Sequence, residues 1–258
     1  MAASAYYQRS TGPTHPLRGT AEAEGQQFSY RLPRSAVNEQ DAKLTIPDPG
    51  ASARVLWRRY PTNELFTVVF MAPETDGDKK ILTARIPAQP AAGKVEYKIE
   101  FANSSLPSGG DTVIMRFRGA VPPLLLLSHV LIIFAAMLAS TRAGLGAAFG
   151  RTEKRIPWVT LGLILVGGLA LGASVQKAAF GAYWTGWPFG SDLTDNKTLV
   201  MFIAWLLACS LMSFSKIRRT ALVLASFITI VVYLIPHSLR GSEFDYQQGV
   251  VQTGQRAT

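Results

Sequence analysis

Few residue types suited to catalysis occur in this chain. Its 258 residues include one cysteine, Cys209, and three histidines, His15, His129 and His237. One cysteine excludes an intrachain disulfide and a four-cysteine metal site. Its place inside an apolar run marks it as a small buried residue. The histidines lie far apart, so no nucleophile motif with a neighbouring base can be assembled, which removes soluble-type hydrolase chemistry. His15, between Thr14 and Pro16, reads as a loop residue. Charge is also missing where a soluble helical core would need it. Four long apolar runs between Val121 and Leu239 carry no Lys, Arg, Asp or Glu in their middles.

These runs, about 121–141, 157–176, 198–214 and 220–238, approach the ~20 residues a helix needs to cross a ~30 Å hydrocarbon layer. None shows the polar stripe of a soluble helix, so they are expected to form a four-helix transmembrane bundle. The net charge of +9 would suggest nucleic acid in a soluble protein, but no basic-aromatic motif accompanies it. The basic residues instead flank the spans. Arg142, Arg151, Lys154 and Arg155 follow the first, and Lys216, Arg218 and Arg219 follow the third. The positive-inside rule makes the loops 142–156 and 215–219 cytoplasmic. The expected location is a bacterial inner membrane, with the N-terminal domain and the tail from residue 240 on the periplasmic side. Export of that domain predicts a lost or cleaved upstream segment, in keeping with the small-residue run Ala3-Ser4-Ala5.

Before the spans the pattern changes to short alternating runs broken by turn residues. Residues 1–25 read as an extended arm and 26–119 as an all-β domain. Strands are expected near Gln27–Leu32, Lys43–Ile46, Arg54–Tyr60, Phe66–Met71, Lys80–Ile86, Val95–Phe101 and Thr112–Arg118. Seven strands in about ninety residues fit a small β-sandwich, with Trp57 as its core tryptophan. The acidic run Glu74 to Asp78 reads as a solvated turn, because a calcium loop needs more oxygen ligands at regular spacing. Residues 240–258, like the N-terminal arm, look suited to wrapping around partners.

Candidate functional positions lie in the membrane half. His129 falls roughly eight residues into the first span, ~10 Å deep at ~1.5 Å per residue. There it offers a ligand to a haem or chlorin, or a donor to a quinone. His237 ends the fourth span at a different depth, which disfavours a haem shared by the two. Gly168 and Gly172 stand four apart on one helical face, a pattern that admits a neighbouring helix closely. The stretch Phe180 to Lys197 gathers Phe180, Tyr183, Trp184, Trp187 and Phe189, suited to an aromatic belt at the headgroup level. It closes on Asp192, Thr194, Asp195 and Asn196. Thr194, Asp195 and Asn196 are placed to cap the third helix. Asp192 and Asp195 are alternatively proton or cation ligands. The whole stretch reads as an outer, re-entrant connection used for docking to a partner or to lipid.

Two resemblances add to this. ARIPAQPAAGKVEYKIEF resembles the late part of immunoglobulin-like and fibronectin type III domains of bacterial surface proteins, with Tyr97 at the position of their corner tyrosine. YYQRSTGPTHPLRG, STRAGLGA and GAYWTGWPFGSDLTDNKT together resemble a group of bacterial integral membrane proteins in which an N-terminal β domain precedes a membrane portion. The likeness implies that architecture and transfers no activity.

The functional expectation is a non-catalytic accessory subunit of a larger photosynthetic or respiratory membrane complex. Its partners would be other membrane-protein subunits and the lipid bilayer, with no nucleic acid. It would make contacts to lipid, quinone, carotenoid or chlorin rather than hold a cofactor of its own. The alternatives are a membrane oxidoreductase or electron-transfer subunit centred on His129, and a small transporter. Spans without a midplane charge or a broken helix disfavour transport.

Overall fold

The computed structural model describes residue 12, residues 14–235 and residues 241–253. The chain divides into two compact units. One is residues 14–120 with Glu243–Val251; the other is residues 121–235 with 241–242.

The first unit is built of sheets. Its strands are β1 (Leu17–Ala23), β2 (Gln26–Leu32), β3 (Ser35–Val37), β4 (Ala42–Pro47), β5 (Arg54–Tyr60), β6 (Thr67–Phe70), β7 (Ala72–Asp76), β8 (Lys79–Ile86), β9 (Lys94–Glu100), β10 (Ser105–Leu106) and β11 (Val113–Arg118). The largest sheet runs β3-β11-β9-β5-β6 with β10 beside β9; a second runs β4-β8-β7, and β1 pairs β2. Alternation decides which face is covered. On β4, Ala42, Leu44 and Ile46 are buried while Lys43, Thr45 and Pro47 are exposed. Val95, Tyr97 and Ile99 of β9 and Val113, Met115 and Phe117 of β11 join them in one core with Leu32, Val55 and Ile86. The outer face of β5 and β9 carries cross-strand ion pairs, Arg54 to Glu100 at 3.0 Å and Arg58 to Glu96 at 2.5 Å.

All seven expected strands are present, and the differences lie between and around them. The arm expected over 1–25 contains β1, which pairs with β2 across a two-residue turn at Glu24 and Gly25. Both residues have positive φ, 49° and 73°, the geometry that matches strand twist in a tight hairpin. Of the acidic run, Glu74 to Asp76 lie on β7, with Glu74 paired to Lys43 at 2.8 Å, and Gly77 with Asp78 forms the exposed hairpin turn into β8. Trp57 is only partly covered. Its cross-strand neighbour Tyr97 takes the centre instead, fully buried and donating its hydroxyl to the Pro33 carbonyl at 2.8 Å. Burial pushes the Tyr97 phenol well above the usual range.

The C-terminal segment also departs from the expected arm. It forms a hairpin, β12 (Ser242–Asp245) and β13 (Val250–Thr253). The Phe244 amide donates to the Ala92 carbonyl at 3.1 Å, and the Tyr246 hydroxyl donates to the Lys94 carbonyl at 2.9 Å. Glu243 pairs with Lys94, and Arg59 lies over the Tyr246 ring. Glu243 and Tyr246 thus both engage Lys94 at the start of β9, and the Phe244 backbone bonds Ala92 just before it.

The second unit has four helices: α1 (Pro123–Ala148), α2 (Arg155–Phe180), α3 (Leu193–Ser213) and α4 (Ser215–Leu234), each long and apolar enough to cross a membrane. Their outward faces are as apolar as their contacts: Leu124, Leu127, Leu131, Leu138 and Leu145 of α1 are all exposed. Water would not tolerate such a surface, whereas lipid does. Inside, Ala136, Ala143, Ile164, Trp205, Leu222 and Ala225 form the packed centre. Trp205 donates its indole N–H to the Thr229 hydroxyl at 2.8 Å. The helices overrun the expected spans. Arg142 lies on α1 rather than in a loop, and Lys216, Arg218 and Arg219 lie on the first turns of α4. Apolar content marks the lipid-crossing part of a helix, not its ends.

Candidate functional site

The bundle holds a cavity of about 150 Å³ at the end opposite the basic loops. It draws on the first half of α1, the last turns of α2, the connection after α2, the first turns of α3 and the last turn of α4. His129, Gly168, Gly172, Trp184 and Asp195, singled out separately in the sequence, all line it. Lys197 and Tyr233 line it as well, and the sequence reading passed over both.

A local departure from α-geometry shapes the wall. Within α2, Leu165–Leu171 forms a π-helical turn, and the Gly172 amide donates to the Gly167 carbonyl. That wider turn presents the same carbonyl sideways, and His129 Nδ1 donates to it at 2.9 Å. A carbonyl only accepts, so Nδ1 carries the proton and Nε2 is the acceptor of the neutral ring. Gly168 and Gly172 give the helix close approaches to its neighbours. A Cβ on Gly168 would stand 2.9 Å from Thr198 Cγ2 of α3, while one on Gly172 would stand 3.5 Å from His129 Cε1 of α1. Both glycines line the one cavity, and the Gly168 position also approaches α1, 3.7 Å from Ile133 Cδ1.

Next to the cavity lies a buried polar network. Asp192 is the N-cap of α3, its Oδ1 accepting the Thr194 amide at 2.8 Å. Capping thus belongs to Asp192 rather than to Thr194, Asp195 or Asn196. Asp192 Oδ2 accepts from the Ser242 amide at 3.1 Å. Asp195, in the first helical turn, accepts at Oδ2 from the Thr185 amide at 2.6 Å and from Gln176 Nε2 at 3.0 Å. Asn196 Oδ1 accepts the Trp187 amide at 2.6 Å. Gly186 makes the approach possible, since a Cβ there would stand 2.5 Å from that of Asp195. Both carboxylates thus sit at the positive end of the α3 dipole with internal donors. Their geometry is that of a connection locked onto a helix start.

Lys197 is the unexpected member. It is only 6% exposed, and its Nζ donates to the Ile235 carbonyl at 2.7 Å. Among the described residues no carboxylate lies within ion-pair distance of it. A lysine near a helix end in a membrane ordinarily reaches outward to the headgroups; this one points into the bundle. The signal available in the sequence was a basic residue in the opening turn of an apolar helix.

The aromatic stretch divides in two. Trp184 faces the cavity and donates its indole N–H to the Trp187 carbonyl at 3.1 Å. Tyr183, Trp187 and Phe189 are exposed, and Lys177 lies 5.5 Å from the Tyr183 ring centre. His237 lies outside the described residues; among the described residues, His129 is the histidine that lines the cavity. Among the described residues no group of three or more His, Cys, Asp or Glu is arranged to hold a metal ion. No family model, curated protein or solved structure matches the chain.

Proposed function

We propose that this chain is a non-catalytic subunit of a bacterial inner-membrane assembly whose bundle holds a small molecule drawn from the lipid phase. The observation that carries this is the convergence of His129, Asp195, Lys197 and Tyr233, from three helices, on one cavity. Ionisable groups inside a membrane bundle are costly and mark binding or transfer sites by default. The site offers hydrogen-bond donors and acceptors and no nucleophile with a base, which suits holding a molecule rather than transforming it.

In this reading the cavity end of the bundle faces the periplasm. The basic residues gathered at the other end support that orientation. The chain enters α1 from the β-rich unit and returns to it after α4, so that unit is periplasmic too. We read its fold as an immunoglobulin-like sandwich, supported by strands of separate sheets sharing one core. The Tyr97 hydroxyl reaches the Pro33 carbonyl far upstream, not a carbonyl a few residues back as a corner tyrosine does. Exposed Tyr183, Trp187 and Phe189 supply an interfacial belt for lipid or for a neighbouring subunit.

The test is purification of the full chain from its native membrane in mild detergent, with mass spectrometry of the extracted small molecules and of co-migrating proteins. A stoichiometric lipophilic compound that is lost from a Lys197→Met variant is the expected result. A chain that purifies alone and empty would overturn both parts of the proposal.

A further inference from the structure

The size and polarity of the cavity narrow what it takes; this step rests on its being a ligand site at all. The cavity is partly open, and its volume of about 150 Å³ is the size at which a protein cavity accepts a benzene-sized molecule. The side walls from Phe180, Trp184, Met201 and Val232 are apolar, as a flat ring requires. The polar groups stand on separate helices and differ in kind. Lys197 Nζ has three N–H groups, and among the described residues its hydrogen-bond acceptor is the Ile235 carbonyl. It is a donor and nothing else. His129 lines the cavity too, and with Nδ1 committed to Gly167 the acceptor of its neutral ring is Nε2.

Charge removes the other candidates. An anionic head would meet Lys197 but also Asp195 in the same wall, with Asp192 close behind in the network. A cation would meet Asp195 but also the Lys197 ammonium beside it. An acyl chain would leave both the ammonium and the imidazole unanswered. We infer that the cavity receives the head of a neutral hydroquinone-type molecule, a single six-membered ring with one hydroxyl donating to His129 Nε2 and a second oxygen accepting from Lys197 Nζ. The ring lies between the apolar walls, and any tail leaves between helices into lipid.

The experiment uses the full chain in lipid nanodiscs under anaerobic conditions, with hydroquinone and p-xylene as probes. The two have the same heavy-atom shape and differ in whether the ring carries hydroxyls or methyls. Binding is read by calorimetry and by the change in tryptophan emission, with Trp184→Phe identifying the reporter. Saturable hydroquinone binding about tenfold tighter than that of p-xylene is expected, as one good polar contact supplies. Lys197→Met and His129→Phe should each weaken hydroquinone by about five- to tenfold while leaving p-xylene unchanged. Equal or tighter binding of p-xylene overturns the hydroquinone assignment and leaves the cavity a ligand site. Absence of saturable binding by either probe overturns the ligand site as well. Should a variant fail to fold, the comparison of the two probes on the unaltered chain still decides.

Discussion

Lys197 Nζ donates to the Ile235 carbonyl at 2.7 Å, tying the opening turn of α3 to the end of α4. The last carbonyls of a helix lack intrahelical donors, and a cation there also meets the negative end of the dipole. One side chain therefore closes the bundle at the cavity end and lines the cavity.

Asp192→Ala should destabilise the bundle by about 1–3 kcal/mol, the range for a lost N-cap together with buried donors left without an acceptor. The Thr194 amide and the Ser242 amide both lose Asp192. Asp192→Asn keeps one acceptor oxygen and should cost less. Denaturation of the purified chain in mixed micelles measures both, and equal stability of all three forms would contradict the network.

Two glycines of α2 should respond oppositely. A Cβ on Gly168 would press on Thr198 at 2.9 Å, whereas one on Gly162 has nothing within 4 Å. Gly168→Ala should cost about 1–3 kcal/mol through overpacking and narrow the cavity. Gly162→Ala should gain up to about 1 kcal/mol from helix propensity. Thermal midpoints of the two variants in the same detergent give the comparison.

Trp205→Phe removes the indole donor to the Thr229 hydroxyl while keeping most of the apolar volume at a fully buried position. Interhelical hydrogen bonds in membranes are worth about 0.6 kcal/mol on average, and the smaller ring leaves a void, so a loss of about 1–3 kcal/mol is expected. The double variant with Thr229→Val should show less than the sum of the single losses.

Alkaline pH should release the C-terminal hairpin. Burial pushes the Tyr246 phenol up to about 12, whereas a solvated tyrosine ionises near ~10. The docked form holds its proton more tightly, so docking is at full strength below about pH 10 and weakens as pH rises through 12. Tyrosinate absorbance during a pH titration, compared between the parent and Tyr246→Phe, isolates this group. A Tyr246 that ionises near ~10 would show the hairpin undocked in solution.

The division between what was legible and what was not follows the range of each interaction. The strand pattern of Val95, Tyr97 and Ile99 is local and period-two, and it fixes the covered face without any partner. The four apolar runs announce themselves by length and by absent charge. Glu24-Gly25 was legible in principle as a hairpin signal, but one dipeptide in an irregular segment carries little weight. The C-terminal hairpin was hidden because its docking depends on Lys94 and Ala92, about 150 residues earlier.

By itself, then, the amino-acid order determined that sheets precede a membrane bundle, that the basic residues mark one end of that bundle, and that polar and aromatic residues gather at the other. These follow from periodicity, hydropathy and composition, which neighbours along the chain express together. Only the tertiary structure decided what the gathered residues do. It turned Lys197 inward and used Asp192 and Asp195 as internal acceptors. It also brought His129 of α1 to the cavity that Lys197 of α3 lines. Those outcomes depend on which helices become neighbours and how each is rotated, and rotation is set by packing across the bundle rather than by any local run of residues.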